Sequence, residues 1–222
     1  MTGTAWPVRS AAEQNRRYFR LAYGTGVHGW QSTEASPDVA EDLGTVAQAA
    51  PGARLLDLGC GAGRHCVLAA DMGLLVTGVD YEPLAIRHAR GNVRQAGCEQ
   101  RVQLLVADIF ALPFRRDCFD AVLDYGCLHH QRKADWPKYR AAIRTVLRPQ
   151  GWFMLTAFST RFAVFGPQPR HWHLAHGAYR RFFTAEEIEG LLAEDFDVIR
   201  LHEERDGSAG FWHALMRRKA HA

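Results

Sequence analysis

The stretch Arg54-Leu55-Leu56-Asp57-Leu58-Gly59-Cys60-Gly61-Ala62-Gly63-Arg64 decides the fold. A short apolar run ends in an acid, glycines follow at every second position, and a helical pattern opens at Ala62. This reads as a strand, a tight turn and a helix start. Glycine serves where a backbone turns sharply or admits a ligand closely, because any Cβ would be in the way. The helix start beyond presents unpaired N–H groups to whatever lies in the turn. A P-loop needs Gly-Lys-Ser/Thr after a longer spacer, and no such run follows Gly59 or Gly61. The dinucleotide fingerprint G-x-G-x-x-G, counted from Gly59, meets Arg64 where its third glycine belongs. The run is D-x-G-x-G-x-G, which these residues alone share with an ordinary glycine-rich strand-to-helix turn.

Outward from that loop, strands and helices alternate. Arg54–Asp57 reads as a strand and Ala62–Met72 as a helix closed by Gly73. Leu74–Asp80 is apolar and β-branched, and Glu82–Gln95 is helical, with Pro83 in the first turn where a missing N–H costs little. Ala85, Ile86, Ala89 and Val93 share one helix face. Arg101–Ala107 and Cys118–Asp124 read as strands, Trp136–Leu147 as a helix and Trp152–Phe158 as a fifth strand. Thr184-Ala185-Glu186-Glu187 is a capping box. Phe196–Glu203 and Phe211–Arg217 follow as two strands joined by the turn cluster Asp206-Gly207-Ser208. Repeated strand–helix units imply a parallel sheet covered on both faces. The expected fold is α/β: a Rossmann-like, mostly parallel sheet flanked by helices and closed by a C-terminal antiparallel hairpin.

Asp57, Asp80, Asp108 and Asp124 each end or follow an apolar strand. Ligands of open α/β sheets bind outside the carboxyl ends of the strands, near the point where strand order reverses. An ionised carboxylate offers acceptors only, which suits hydroxyl and amine donors. Each acid could equally cap a helix or a turn.

With these acids in place, residues 53–158 resemble a class I S-adenosylmethionine (SAM)-dependent methyltransferase. The motifs carrying the likeness are Leu56–Gly63, Gly78-Val79-Asp80-Tyr81, Ala107-Asp108-Ile109 with Leu112-Pro113-Phe114, Phe119-Asp120-Ala121-Val122 and Leu147-Arg148-Pro149-Gln150-Gly151. The last usually has glycine where Gln150 stands. The resemblance implies SAM as cofactor, bound by Asp57, Gly59, Cys60, Gly61, Gly63, Asp80, Tyr81, Asp108, Ile109, Asp124 and Tyr125. Within that set, Asp80 would take the ribose hydroxyls and Asp108 the adenine amine, with Tyr81 or Ile109 packed on the adenine ring. Asp57 and Asp124 would lie nearer the methionine end. A nicotinamide oxidoreductase and a SAM-binding protein without catalysis are the rival readings.

The Asp124-Tyr125-Gly126-Cys127-Leu128-His129-His130 segment would run past the methyl group. Its form is similar to one in small thiopurine- and tellurite-type methyltransferases, which implies a sulfur or other soft nucleophile. An oxygen or nitrogen acceptor of secondary metabolism is the alternative. Methyl transfer asks chiefly for alignment and desolvation. A hydroxyl acceptor would need a base, for which His129 and His130 are the candidates. Candidate acceptor contacts are Tyr23 and Trp30 in the N-terminal lid segment of residues 1–50, Cys127, and Arg170 and Trp172 in the lid of residues 159–183. The lid's arginines suit an anionic or carboxylate-bearing acceptor and its aromatics a planar one.

Composition fits one domain over residues 1–222. Charge is nearly balanced, with 27 basic and 24 acidic residues, which disfavours a nucleic-acid partner. No apolar run is long enough for a membrane span. Met1–Ser10 lacks a signal-peptide core, so a cytoplasmic location is expected. The five cysteines are odd in number and form no C-x-x-C pair, which argues against a disulfide framework or a zinc ribbon. A metal role for the adjacent histidines lacks a third ligand. A small-molecule substrate and a monomer or homodimer complete the expectation.

Overall fold

The computed structural model describes residues 11–26, 34–162, 171–175, 178–204 and 210–220. Two helices, α1 (Ala11–Thr25) and α2 (Pro37–Ala49), precede the alternating core. That core runs β1 (Arg54–Leu58), α3 (Arg64–Asp71), β2 (Leu75–Asp80), α4 (Pro83–Gln95), β3 (Val102–Val106), β4 (Phe119–Tyr125), α5 (Trp136–Val146) and β5 (Leu147–Phe158). It continues through β6 (Trp172–Ala175), β7 (Ala178–Arg181), α6 (Ala185–Leu192), β8 (Phe196–Glu203) and β9 (Phe211–Arg218).

Seven strands form one sheet in the order β3-β2-β1-β4-β5-β9-β8. Strands β1 to β5 pair in parallel, and β9 runs antiparallel to both β5 and β8. The order reverses between β1 and β4, which opens a crevice at their carboxyl ends. Register aligns that end: Leu58 pairs with Val79 and with Asp124, and Asp80 with Val106.

Both faces of the sheet are buried, which is why its central strands read as unbroken apolar runs. Successive side chains separate to opposite faces. Leu56, Leu58, Val122, Phe153 and Leu155 pack with Tyr139 and Ile143 of α5 and Ile188 of α6. Leu55, Ala121, Leu123 and Met154 pack with Leu43 of α2, Cys66 of α3 and Ile86 of α4. Each fully buried Leu, Ile or Phe contributes about 1.5–3 kcal/mol.

Three local departures from the sequence reading have physical causes. Helix α3 starts at Arg64 rather than Ala62, because Gly61 and Gly63 adopt φ of 57° and 80° and the helix cannot form until past them. Strand β5 begins at Leu147 and includes the Pro149-Gln150-Gly151 turn, where Gln150 takes φ of 60°. That is the left-handed conformation for which the resembled motif carries glycine, and the Gln150 side chain donates to the Arg218 carbonyl at 3.1 Å. Within residues 159–183, β6 and β7 pair as an antiparallel ribbon rather than forming an irregular lid, with Leu174 opposite Tyr179. The capping box at Thr184 is present, with both reciprocal bonds made. The turn cluster at 206–208 lies outside the described residues.

Candidate active site

The glycine loop is tied to β2 by one carboxylate. Asp80 accepts the Gly61 N–H at 3.1 Å on one oxygen and the Glu82 N–H at 2.8 Å on the other. Burial nevertheless raises its pKa to about 6. A Cβ on Gly61 would lie 2.9 Å from the Tyr23 hydroxyl, and its φ of 57° is one that residues with a Cβ rarely adopt. Gly63 serves packing instead: a Cβ there would meet the Ala89 Cβ of α4 at 3.1 Å.

Above the loop lies a cavity of about 1130 Å³ at the carboxyl ends of β1, β2 and β4. One wall holds Gly59, Cys60, Gly61, Asp80, Tyr81, Asp108 and Ile109. Another holds Tyr125, Cys127, His129 and His130, and Tyr23 reaches in from α1. Thus twelve of the sequence-predicted site residues meet around one space. Asp57, Gly63, Asp124 and Trp172 are not on its wall. Trp30 and Arg170 lie outside the described residues.

Asp57 and Asp124 are buried and absent from the cavity wall, and Asp124 acts on the wall's backbone. Asp124 accepts from the N–H groups of Cys127 at 2.6 Å and Leu128 at 3.0 Å, and from the Tyr139 hydroxyl at 2.5 Å. It therefore shapes the turn that carries Cys127 to His130. Gly126 makes that turn with φ of 100°, and a Cβ there would press on the His129 ring at 3.2 Å. Asp57 accepts from the Cys66 thiol at 3.2 Å. Burial raises Asp57 to about 7 and Asp124 to about 6. Trp172 is 61% exposed, because its place in the β6–β7 ribbon turns it away from the cavity, so the acceptor contact expected of it is not made.

His129 stacks on Phe158 with ring centroids 3.8 Å apart. Its Nδ1 is buried and, among the described residues, has no hydrogen-bond partner. His130 donates from Nδ1 to the Tyr179 carbonyl at 2.8 Å. Burial holds His129 well below the usual histidine range and His130 at about 4, so both rings are neutral near pH 7. Burial also pushes the Cys127 thiol up, which keeps it protonated. Among the described residues, no three His, Cys, Asp or Glu side chains are grouped to hold a metal ion.

Several wall residues carried no motif. Asn15 of α1 donates to the His130 carbonyl at 3.0 Å and accepts the Tyr179 N–H at 2.7 Å, joining α1, the histidine turn and β7. Arg16 pairs with Asp108. Phe158, Phe162, Arg180 and Phe211 complete the wall opposite the glycine loop. The signal for Asn15 and Arg16 is tertiary, since a helix residue facing a distant loop leaves no local trace.

Residues 55–151 match the family model described as a methyltransferase domain. The chain is 27% identical over 174 residues to 24-methylenesterol C-methyltransferase 2 of Oryza sativa subsp. japonica, a match spanning 78% of this chain and 46% of that protein. It is 32% identical over 126 residues to 27-O-demethylrifamycin SV methyltransferase of Amycolatopsis mediterranei, spanning 56% of this chain and 46% of that one. The chain thus spans about half the length of these relatives. In fold it is similar to 1,6-didemethyltoxoflavin-N1-methyltransferase of Burkholderia thailandensis, solved with its substrate and S-adenosylhomocysteine, at a TM-score of 0.76 and 23% identity over 97% of this chain and 93% of that one. The family match spans the glycine loop, Asp80 and Asp108, and the sheet order agrees with it: residues 55–151 carry the likeness to a methyltransferase domain, on a fold shared with SAM-dependent methyltransferases.

Proposed function

We propose that this protein transfers a methyl group from SAM to a small-molecule acceptor. The observation that carries this reading is one cavity wall on which a glycine cradle, Asp80 and Asp108 converge. The chain's residues fit the cofactor. Gly61 takes a left-handed φ of 57° on the cavity wall, a tight turn that presents loop backbone to a ligand. Asp80 spends one backbone N–H on each oxygen, and each carboxylate oxygen has a further lone pair for a ribose hydroxyl. Tyr81 has a buried hydroxyl with no hydrogen-bond partner among the described residues, as expected of a group meant to face a ligand. Asp80 would hold the ribose and Asp108 the adenine amine, with Ile109 against the ring. Asp57 and Asp124 would shape the loops around the methionine end.

SAM, when bound, supplies an electrophilic methyl on a good leaving group. The chain aligns the acceptor and excludes water. The cavity of about 1130 Å³ exceeds the space a single drug-sized ligand takes, roughly 300–1,000 Å³, which supports a second small molecule beside the cofactor. The neutral histidines are weak bases at the pKa values burial gives them. That favours an acceptor that ionises by itself, such as a thiol or another soft nucleophile. An oxygen or nitrogen acceptor is the second reading, supported by similarity to relatives named for O- and N-methylation.

Calorimetric titration with S-adenosylhomocysteine tests the cofactor assignment. Asp80→Ala should weaken binding at least tenfold, about 1.4 kcal/mol. Unchanged affinity would remove Asp80 from the ribose. Formation of S-adenosylhomocysteine from SAM with a panel of thiol, phenol and amine acceptors separates an enzyme from a SAM-binding protein without turnover.

A further inference from the structure

Helix α1 crosses the glycine-loop side of the cavity and fastens to it through one stripe of side chains. Arg16, Arg20 and Tyr23 are spaced i, i+4 and i+7, which sets them on one face of the helix. Each meets a different loop. Arg16 Nη2 pairs with Asp108 Oδ2 at 2.5 Å, beyond β3. Arg20 Nε stands 3.6 Å from an oxygen of Glu82, the residue that caps α4 beyond β2. The Tyr23 hydroxyl reaches the glycine loop beyond β1, 2.9 Å from the position a Gly61 Cβ would take. Two of these three fastenings are ionic. Arg17, the neighbour of Arg16, is exposed and pairs with no acid among the described residues.

The cavity reaches solvent where Arg16 stands. The Asp108 side chain is 34% exposed, and Phe110 of the same wall is 42% exposed. The other oxygen of Asp108 accepts the Phe110 N–H at 3.0 Å, so Arg16 is what α1 adds to this acid. The Arg16 guanidinium also lies 5.6 Å from the centre of the Tyr81 ring, and Phe19 meets that ring edge to face at 5.9 Å. Arg16, Phe19 and Tyr23 all line the cavity, facing Tyr81, Asp108 and Gly61. Ion pairs exposed in this way are individually weak and are screened by salt, whose Debye length is about 10 Å at 0.1 M. Such pairs suit a fastening that opens in every cycle, and release of product through a moving element commonly limits turnover.

We propose that α1 is a salt-sensitive clasp on the cofactor: Arg16 on Asp108 and Arg20 on Glu82 hold it across the mouth of the cavity, and S-adenosylhomocysteine leaves when both pairs part. This rests on the reading that places the cofactor's adenine at Asp108. Each carboxylate oxygen has a second lone pair, so Asp108 accepts from Arg16 and from the adenine amine together. Closure of the clasp and occupation of the site therefore support one another.

The test loads the full chain with labelled S-adenosylhomocysteine, chases it with excess unlabelled ligand and samples by rapid filtration at about 50 and about 500 mM sodium chloride. The wild-type dissociation rate should rise about threefold or more with salt. Arg16→Gln and Arg20→Gln together should give that fast rate already at low salt, with little further response. Arg16→Gln alone should show part of the effect. Arg17→Gln removes the same charge from the same helix without breaking either pair, and should behave as wild type. Melting temperatures of the unliganded variants identify those that fold. The clasp is overturned by a wild-type rate in the double variant, or in Arg16→Gln where the double variant does not fold. A wild-type salt response kept in the double variant, or equal acceleration in Arg17→Gln, overturns it too. Failure of the unaltered protein to bind S-adenosylhomocysteine would instead overturn the cofactor reading beneath it.

Discussion

Replacing Asp57 by asparagine should make the protein less sensitive to alkali. The unfolded chain gives up the Asp57 proton near the ordinary 3.8, whereas the buried group in the folded chain keeps it until about 7. Between those values the folded state holds a proton that the unfolded state has lost. Raising the pH therefore favours unfolding, and the cost is complete above about 7. From pH 5 to pH 8 the folded group crosses about two units, worth about 3 kcal/mol at 1.36 kcal/mol per unit. Asp124 and Asp80 both raise Asp57 by their charge, so the three buried acids do not add independently. The variant removes one of them, and the measured difference carries the coupling of Asp57 to the other two. Urea unfolding of wild type and Asp57→Asn at pH 5 and pH 8 gives the difference directly. The variant's stability relative to wild type should rise by about 3 kcal/mol between the two conditions. A constant offset at both pH values would show that Asp57 ionises normally, and would refute burial as the controlling term.

Two further substitutions probe the scaffold below the cavity. A Cβ on Gly78 would meet Cys66 Sγ and Leu104 Cδ2 at 2.8 Å and Cys60 Sγ at 3.0 Å. Gly78→Ala should cost about 1–3 kcal/mol through overpacking, with Cys66→Ala restoring part of it; a melting temperature unchanged in differential scanning calorimetry would count against that contact. Tyr139→Phe removes a hydroxyl that donates to the Asp124 carboxylate at 2.5 Å. Its loss from a buried charged acceptor should cost about 1.5–3 kcal/mol in urea unfolding, and a loss of only a few tenths would mean the backbone donors suffice.

The glycine-loop side of the cavity was legible in the sequence because it is local. Each strand end and the turn behind it supplies its own wall residue, so Gly59, Gly61, Asp80 and Asp108 announce themselves by spacing. The acid pattern misled in one respect. Asp57 and Asp124 occupy strand ends like Asp80, yet their side chains face into protein. Spacing marks a strand end, whereas the side a carboxylate faces depends on what packs there: Cys66 against Asp57, and Tyr139 against Asp124. The facing side of the cavity was only partly legible. The basic and aromatic character of residues 159–183 is visible, but alternation alone does not tell which side of a ribbon meets the cavity. Trp172 and Arg180 both lie in it, and pairing turns one to solvent and the other inward.

This difference in construction bears on how the two halves respond to change. The wall between residues 59 and 109 comes from one continuous stretch, held by backbone bonds such as the Gly61 N–H to Asp80. The facing wall is assembled from α1, the end of β4, Phe158 and Phe162, β7 and β9. Its alignment depends on side-chain ties between distant elements, of which Asn15 bonding both His130 and Tyr179 is the most central. A change at Phe158 or Phe211 alters this wall without touching a bond of Asp80 or Gly61. Asn15 is different, because one amide fixes α1, the histidine turn and β7 together, and α1 also brings Tyr23 to the glycine loop. Helix α1 is thus the element through which the two walls of the cavity are mechanically joined.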